Sequence, residues 1–355
     1  MKSILQVCAF GAPNPGNFIV SLIKLQEEME KYGYRTIYAF PEKARDKGWC
    51  KELIKSNKIY FLPEARARIL PKTYRVFSRI YKENEIEIVH SHFELYDIPA
   101  TVKAPRSVKV FWHLHDALKE QYKKVKLSRK ILIKIQYNFF SKRVKLLSVS
   151  KEHAQFAESL GFPKKQIHYL PNGINTDRII SVNKENQSSD FLMFGWDVHR
   201  KGVDLAIGAM KHMSSEKIRI VIVGESECKR YLENNAVPGI IYKEPVKDVN
   251  ELYSCVRAFL HISRAEGLSY ALLEAIYAGL PVICSDISEN QFASEFNGIY
   301  FVKNEDITEI AHAIKNINSQ IFLSKENIDY NRAQIEKKYS LNAWCSKVLD
   351  FYMNL

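Results

Sequence analysis

The stretch EGLSYALLEAIYAGLPVICSD, residues 266–286, carries the pattern that decides the fold of this chain. Ser269 is a good helix N-cap residue and Gly279, closely followed by a proline, marks a helix end, so the spacing predicts a helix between them. Apolar runs flank that helix, at AFLHI (258–262) and PVICS (281–285). A strand, a helix and a second strand in this order are typical of a parallel sheet covered by helices.

The same alternation of strands and helices runs along almost the whole chain. It begins with SILQVCA (3–9), an amphipathic segment at residues 17–32 and RTIYAF (35–40), and it restarts at FLMFG (191–195) after a polar stretch. Repeated alternation of this kind predicts parallel sheets with helices on both faces. The expected fold class is therefore α/β, with two doubly wound Rossmann-like domains facing across a cleft.

The polar stretch SVNKENQSSD (181–190) is expected to link those two domains. Residues 1–180 would form the first domain and residues 191–338 the second. The last residues, 339–355, have a helical pattern, and we expect this helix to pack back on the first domain. A chain of 355 residues has the right length for two such domains.

Composition narrows the class of protein. Hydrophobic residues make up 46% and charged residues 26% of the chain, as is ordinary for a soluble globular protein. No apolar run approaches the roughly 20 residues that a membrane-spanning helix needs, and the short apolar start is interpreted as a strand rather than a secretion signal.

The six cysteines lack a C-x-x-C pair, which favours reduced thiols in a cytosolic protein over disulfides or a zinc site.

The positive charge of the chain is concentrated in its first half. Residues 1–178 contain 33 Lys and Arg against 17 Asp and Glu, whereas the remainder contains 19 against 23. This asymmetry predicts that the first half faces an anionic partner, which leaves open a nucleic acid, a membrane surface or a phosphorylated substrate.

One segment of the basic half has two interpretations. Residues 119–145 contain ten Lys and Arg, with Leu127, Ile131, Ile135 and Phe139 at helical spacing. The segment is either a core helix with a solvated basic face or a surface that docks on anionic lipid head groups. Six further basic residues would enlarge the same surface: Arg66, Arg68, Lys72, Arg75, Arg79 and Lys82.

Two glutamates flank the start of the predicted helix. Glu266 lies in the loop before it, and Glu274 lies within it. Helix N-termini at the carboxyl ends of parallel strands bind phosphate oxygens, and glycine at 267 would let a ligand approach the backbone. A nucleotide-sugar offers hydroxyls, a diphosphate and a ribose, which these groups could bind in turn. The alternative is a capped helix with two solvated glutamates.

A second strand-to-helix turn carries cations. GWDVHRKG (195–202) follows a predicted strand and places Arg200 and Lys201 at a helix start, where they are suited to pair with a diphosphate. The alternative is a solvated basic turn. IVGESE (222–227) forms another strand-to-glycine turn at Gly224.

Together these motifs resemble the GT-B fold retaining glycosyltransferases of family 4, also called glycosyltransferases group 1, and the resemblance covers nearly the whole chain. The signature of that family is E-G-F-G-x-x-x-x-E-A followed by x-A-x-G-x-P-V. Residues 266–286 have both glutamates, separated by seven residues, and then Gly279, Pro281 and Val282. Five shorter motifs occur in the order of the family: GAPNPG (11–16), HLHD (113–116), SVS (148–150), PNGIN (171–175) and RKG (200–202).

The resemblance implies a role for each matching residue. Glu274 would bind the donor ribose, Glu266 would bind hydroxyls of the transferred sugar, and Lys201 would neutralise the leaving diphosphate. Gly16 would let the first loop approach the phosphate, and His115 would face the sugar on the acceptor side. The implied donor-binding residues are Gly16, Gly195, Arg200, Lys201, Gly224, Glu266, Gly267, Leu268, Ser269 and Glu274, and the candidate catalytic residues are His115, Lys201 and Glu266.

Two departures from the family pattern matter for the site. Trp196 stands where the family often has an arginine, so Arg200 or Arg264 would replace it, or the diphosphate would be held more weakly. Ser269 stands in place of the second glycine of the signature, which would narrow the space for the donor sugar.

The resemblance also implies a mechanism without a metal or another cofactor. In such enzymes the acceptor attacks the face that the nucleotide leaves, and a phosphate oxygen takes its proton, so no protein nucleophile is nominated. Positioning and charge stabilisation by Lys201 and helix N-termini would supply the catalysis. The chain has no D-x-D motif. His90 and His92, like His113 and His115, have ligand-like spacing, but we interpret them as strand-end residues lining a cleft rather than as a metal site.

The predicted function is transfer of a sugar, with a UDP-sugar as the expected donor, to a lipid-linked or oligosaccharide acceptor in bacterial capsule, exopolysaccharide or lipopolysaccharide synthesis. The expected location is the cytoplasm, with peripheral contact to the anionic inner face of the cytoplasmic membrane through the basic domain and no nucleic acid partner. The alternatives are a nucleotide-sugar epimerase or hydrolase, which would need no acceptor, and a basic nucleic-acid-binding protein, for which no recognisable motif is found.

Overall fold

A computed structural model describes residues 2–115, 118–180, 190–213, 218–320 and 323–355. The chain folds into two compact units, one formed by Met1–Gly173 with Leu341–Leu355 and the other by Ile174–Ser340. The first unit thus ends seven residues before the expected boundary. The predicted linker, residues 181–190, lies outside the described residues except for Asp190, which begins a strand.

The first unit contains a seven-stranded sheet in the order β3-β2-β1-β4-β5-β6-β7, and every neighbouring pair is parallel. Its strands are β1 Ser3–Cys8, β2 Arg35–Pro41, β3 Lys58–Leu62, β4 Ile86–His92, β5 Lys109–Leu114, β6 Val144–Ser148 and β7 Ile167–Tyr169. Its helices are α1 Gly16–Glu30, α2 Gly48–Leu53, α3 Pro71–Glu83, α4 Asp97–Lys103, α5 Leu118–Lys124, α6 Leu127–Phe140 and α7 Lys151–Ser159, with the last helix of the chain, Leu341–Asn354.

The second unit contains a six-stranded parallel sheet in the order β10-β9-β8-β11-β12-β13. Its strands are β8 Asp190–Phe194, β9 Arg219–Val223, β10 Ile240–Lys243, β11 Ala258–His261, β12 Val282–Asp286 and β13 Ile299–Lys303. Its helices are α8 Val203–His212, α9 Ser226–Asn234, α10 Asn250–Tyr253, α11 Tyr270–Ala278, α12 Ile307–Gln320 and α13 Lys325–Tyr339, and the C-terminal helix of the chain is therefore α14.

Alternate residues of the first sheet enter two different cores, as the period of a strand requires. Leu5 and Trp112 pack in one hydrophobic cluster, whereas their chain neighbours Ile4 and Phe111 pack in another, on the opposite face. In both units the chain order reverses direction at the first strand, as in doubly wound folds. The predicted class, α/β with two Rossmann-like sheets, is confirmed.

The C-terminal helix completes the first unit. Trp344, Val348 and Tyr352 of α14 are buried in a cluster with Ile4 and Leu25. Because these apolar side chains would otherwise be exposed, the helix belongs to the first unit, although the whole second unit lies between them in sequence. The expectation that this helix packs back on the first domain is confirmed.

Helix α11 has the ends that its sequence predicts. The Ser269 hydroxyl accepts a hydrogen bond from the Leu272 amide at 3.4 Å, and Gly279 ends the helix in the left-handed conformation. In the part of the chain that the structure describes, no helix is long and apolar enough to cross a bilayer.

Candidate functional site

The candidate donor site lies at the carboxyl end of the second sheet. Strands β8 and β11 are neighbours at the point where the strand order reverses, which is where open α/β sheets bind ligands. Residues 195–202 follow β8 and residues 262–269 follow β11. The Arg264 amide donates to the Arg200 carbonyl at 2.8 Å and so joins the two loops.

A buried ion pair occupies the centre of these loops. Lys201 Nζ lies 2.5 Å from Glu266 Oε1, and each side chain is only 6% exposed. Arg200 Nη1 lies 3.5 Å from the other oxygen of Glu266 and also donates to the Ala265 carbonyl at 3.3 Å. His261, the last residue of β11, has its Nε2 3.8 Å from Glu266 Oε1. The two catalytic candidates of the second unit are therefore in direct contact.

Burial and charge compete at this cluster. Burial opposes ionisation of Glu266, but Lys201, His261 and Arg200 outweigh it and lower the pKa of this carboxyl to about 2. Burial lowers the pKa of His261 to about 4, against the opposing effect of Glu266. Burial also lowers the pKa of Lys201, although Glu266 favours its charged form. Glu266 is thus an anion and His261 a neutral ring at pH 7.

Glu274 is a buried carboxylate, and each of its oxygens has a protein partner. It projects from α11, where Arg178 forms an ion pair with Oε1 and the Tyr253 hydroxyl donates to Oε2 at 3.1 Å. The interpretation of Glu274 as a solvated helix residue is therefore wrong. Arg178 lies just after the PNGIN motif and Tyr253 in α10, and neither was predicted as a site residue.

Trp196 supports the basic turn. Its ring is 56% exposed, with the Arg200 guanidinium 4.3 Å and Lys201 Nζ 5.0 Å from the ring centroid. Arg264, the other candidate replacement for the arginine of the family, binds both oxygens of Asp204 at 2.7–2.8 Å. Of these two arginines, Arg200 is the one that reaches Glu266. The alternative interpretation, a solvated basic turn, is wrong, because Lys201 is buried and both cations lie against the ring of Trp196.

The glycines of the second unit have packing roles. A Cβ atom at Gly202, which has φ +75°, would lie 2.4 Å from the Ile262 carbonyl oxygen, so only glycine lets the loop after β8 contact the loop after β11. A Cβ atom at Gly195 would meet Ile222, Val203 and Cys228, and one at Gly224 would meet Cys228. Gly195 and Gly224 are therefore required for close packing behind the site.

The turn before α11 positions backbone amides. Gly267, Leu268 and Ser269 are buried and lead directly into the first helical turn, whose N–H groups can bind an anion. In the first unit, Gly16 begins α1 with φ +54°, and no atom lies within 4 Å of a Cβ built there. The space that the first loop needs to approach a ligand is therefore open at Gly16.

His115 lies in a buried cluster of imidazoles at the carboxyl ends of β4 and β5. Its Nε2 is 3.0 Å from His92 Nδ1, and its ring stacks on Phe93 at 4.5 Å. Burial lowers the pKa of His115 well below its ordinary value, and neighbouring His113 adds to this effect. His115 is therefore a neutral imidazole, held from two sides.

Three members of this cluster, His90, His92 and His113, have nitrogens within 4.8 Å of one another. Their rings are stacked rather than converging, with 4.0 Å between the centroids of His90 and His92. Both nitrogens of His92 already have partners, at His115 and Gln6. This geometry fits a hydrogen-bonded stack better than a ligand set. That the protein requires no metal stays a prediction.

Helix α6 exposes the apolar stripe of the basic segment. Leu127 is 72%, Ile131 52%, Ile135 60% and Phe139 69% exposed, whereas the core side of the helix is formed around buried Tyr137. The interpretation of this stripe as the core face of a helix is therefore wrong.

Two family sequence profiles match the chain. The profile described as "Glycosyltransferase Family 4" matches residues 20–178, and the profile described as "Glycosyl transferases group 1" matches residues 188–320. Together the two matched segments cover well over half of the chain.

Two curated proteins are similar in sequence. The chain is 24% identical over 295 residues to the capsular polysaccharide biosynthesis glycosyltransferase CapH of Staphylococcus aureus, covering 78% of this chain and 80% of that protein. It is 29% identical over 168 residues to the lipopolysaccharide glucosyltransferase WaaG of Escherichia coli (strain K12), covering 41% and 45% of the two chains.

A solved structure has the same fold. The Anabaena protein Alr3699/HepE, crystallised with UDP and glucose, superimposes with a TM-score of 0.78 over 99% of both chains at 12% identity. At 12% identity this similarity shows a shared fold.

Proposed function

Because this chain belongs to the group 1 and family 4 glycosyltransferases, we propose that it is a retaining enzyme that transfers a sugar from a UDP-sugar to an acceptor hydroxyl. The acceptor is a lipid-linked or oligosaccharide chain in the synthesis of a bacterial capsule, exopolysaccharide or lipopolysaccharide. The capsular and lipopolysaccharide relatives support this class of acceptor, and the UDP and glucose bound by the Anabaena protein support the donor.

The observation that carries the proposal is the buried cluster of Lys201, Glu266 and Arg200 at the carboxyl ends of β8 and β11. Two cations and a carboxylate with a pKa of about 2 are held together where a parallel sheet binds ligands. Burial of ionised groups is costly, and perturbed groups of this kind cluster at functional sites.

In the proposed reaction the acceptor oxygen forms a bond to the anomeric carbon, and the bond from that carbon to the diphosphate oxygen breaks. UDP leaves with the bonding electrons, and one of its phosphate oxygens takes the acceptor proton. Lys201, Arg200 and the first-turn amides of α11 stabilise the charge on the leaving diphosphate. Because these groups supply positive charge, the proposed reaction requires no metal.

The remaining residues bind and orient the donor. Glu266 accepts hydrogen bonds from hydroxyls of the sugar, and Glu274 accepts them from the ribose. Both carboxylates are held by neighbouring cations, which fixes their position before the ligand arrives. Gly16 gives the first loop room to approach the phosphate, and His115 faces the sugar on the acceptor side.

The test is a thermal-shift panel of the purified chain against UDP-, GDP-, ADP- and CMP-sugars without metal. We expect stabilisation by UDP-sugars, its loss in Glu274→Ala and its retention in Glu251→Ala, a matched control at an exposed glutamate of α10. No stabilisation by any donor would contradict the proposal. Release of free sugar without an acceptor would identify a hydrolase instead.

We also propose that the basic first unit contacts the anionic inner face of the cytoplasmic membrane through α6. The exposed stripe of Leu127, Ile131, Ile135 and Phe139 is flanked by exposed Lys and Arg side chains at residues 123–134. Apolar side chains that enter the boundary between head groups and acyl chains, together with basic residues worth about 1 kcal/mol each near an anionic surface, are typical of interfacial helices.

Cosedimentation with phosphatidylcholine vesicles, with and without phosphatidylglycerol, tests this contact. We expect binding to the anionic vesicles, loss of binding in the double variant Ile131→Ser and Ile135→Ser, and normal binding in Ile54→Ser, an exposed isoleucine elsewhere in the first unit. Vesicle binding that the double variant retains would exclude α6 as the contact. If the wild type self-associates without binding vesicles, and the double variant loses this self-association, the partner of α6 is a second copy of the chain.

A further inference from the structure

Five buried side chains of the first unit form one continuous chain of hydrogen bonds that ends on His115. His115 Nε2 lies 3.0 Å from His92 Nδ1, and His92 Nε2 lies 3.0 Å from the amide oxygen of Gln6. The Gln6 amide nitrogen donates to the Tyr352 hydroxyl at 3.1 Å, and this hydroxyl lies 2.6 Å from His90 Nδ1. Strands β1 and β4, and the residue that follows β5, are thereby connected to the end of helix α14.

The chemistry of these groups fixes the direction of the hydrogen bonds. The Gln6 oxygen only accepts, so His92 Nε2 must carry the hydrogen. Burial lowers the pKa of His92 well below its ordinary value, so the ring is neutral and its Nδ1 has a free electron pair. His115 Nε2 is therefore the donor of the next bond, which leaves Nδ1 of His115 as an acceptor; the Asn172 side chain also forms a hydrogen bond with His115.

We propose that Tyr352 is a positioning residue for His115 and acts through Gln6 and His92. The Tyr352 hydroxyl donates its one hydrogen to His90 Nδ1, so toward Gln6 it can only accept, and by accepting from the Gln6 amide nitrogen it holds the amide oxygen toward His92. A reversed Gln6 amide would present its nitrogen to His92, reverse the bonds that follow and give His115 the opposite tautomer. The C-terminal helix thus selects whether His115 Nδ1 accepts or donates a hydrogen bond.

The consequence for sugar transfer rests on the proposed function, because it requires His115 to face the transferred sugar. The direction of the hydrogen bonds does not depend on that function. A measurement of the tautomer and a measurement of transfer therefore separate the two proposals.

Tyr352→Phe is a sharp test, because it removes the hydroxyl and keeps the ring that packs on Phe111 and His90. The backbone carbonyl of Tyr352, which accepts a hydrogen bond from Lys109 Nζ at 2.8 Å, is also kept. Tyr81→Phe is the matched control. Its hydroxyl donates to a backbone carbonyl of the same unit at 3.0 Å and lies outside the chain of hydrogen bonds.

Long-range proton–nitrogen correlation spectra of protein labelled with ¹⁵N-histidine report the tautomer of each ring, and His115→Asn assigns the signal of His115. We expect a single His115 tautomer with the hydrogen on Nε2 in the wild type and in Tyr81→Phe, and a mixed or reversed tautomer in Tyr352→Phe. An unchanged His115 signal in Tyr352→Phe, or a wild-type His115 with its hydrogen on Nδ1, would overturn the proposal.

Steady-state kinetics provide the second readout. Misplacement of a group at the reacting centre costs up to about a hundredfold in rate, so we expect kcat of Tyr352→Phe to fall by about tenfold to a hundredfold, with the KM for the donor within about twofold. A higher KM with normal kcat would contradict a positioning role. A wild type that shows the expected tautomer and transfers no sugar would disprove the proposed function and leave the assigned hydrogen bonds intact.

Discussion

Lys201 and Glu266 form an ion pair that is almost completely shielded from water, although 65 residues separate them in sequence. The pair joins the loop after β8 to the loop after β11, and it lies beside Arg200 and His261. Because each charge has lost its hydration, the stability of this region depends on both partners being present.

Removing one partner of this pair will destabilise the second unit. We expect Lys201→Met to lower the free energy of unfolding by about 3 kcal/mol, because Glu266 becomes a buried carboxylate whose one remaining close cation, among the residues that the structure describes, is Arg200. Urea unfolding measures the loss. The double variant Lys201→Met and Glu266→Gln is the control, and it should recover much of the stability.

The same pair predicts a dependence of stability on pH. The pKa of Glu266 is about 2 in the folded chain and 4.5 for a free side chain, so ionised Glu266 contributes about 3 kcal/mol above pH 4.5. This contribution will be lost as the pH falls from 4.5 toward 2. Urea unfolding of the wild type and of Glu266→Gln over this range checks it. Parallel losses of stability in the two proteins would contradict the low pKa.

Tyr253→Phe should weaken donor binding less than Glu274→Ala. The phenylalanine removes one hydrogen bond to Glu274 and keeps the Arg178 ion pair, so we expect a few-fold loss of UDP affinity. Glu274→Ala removes the carboxylate itself and should lower the affinity for UDP at least about tenfold, because hydrogen bonds to charged groups contribute about 1.5–3 kcal/mol. Isothermal titration calorimetry with UDP measures both. Wild-type affinity for UDP in Glu274→Ala would show that Glu274 does not contact the nucleotide.

Trp196→Ala should weaken diphosphate binding by releasing Arg200. The ring holds the guanidinium at 4.3 Å, and such a contact at an exposed site contributes about 0.5–1 kcal/mol, so we expect a two- to fivefold lower affinity for UDP. Trp196→Phe, which keeps an aromatic face, is the control and should lose less. Arg200 Nε also pairs with Asp197 at 3.1 Å, so unchanged affinity of Trp196→Ala would mean that Asp197, Glu266 and the Ala265 carbonyl position Arg200 without the ring.

Gly202→Ala will destabilise the second unit by at least about 2 kcal/mol, because its Cβ would lie 2.4 Å from the Ile262 carbonyl in a left-handed conformation. Gly48→Ala is the matched control, since no atom lies within 4 Å of its Cβ. The free energy of unfolding of Gly48→Ala should stay within about 0.5 kcal/mol of the wild-type value. Thermal unfolding of the two variants measures the difference. Comparable stabilities would show that the loops after β8 and β11 can separate without cost.

The sequence by itself determined the fold class and the ends of the helix that carries Glu274. The cap at Ser269, the helix end at Gly279 and the apolar runs on either side are properties of neighbouring residues. Local signals of this kind are readable because helix caps and strand periods depend on residues close in the chain. The motif spacing also identified Lys201 and Glu266 as site candidates before their contact was known.

The tertiary structure decided which of these polar groups are buried and what they bind. Nothing local in sequence connects Arg178 with Glu274, or Tyr352 with Gln6 and His92. Helix α6 shows the same limit, because a helical spacing of Leu127, Ile131 and Ile135 identifies an apolar face without saying whether it is covered. Contacts between distant segments depend on strand order and on packing of α14 against the first sheet, and these exist only once the chain has folded.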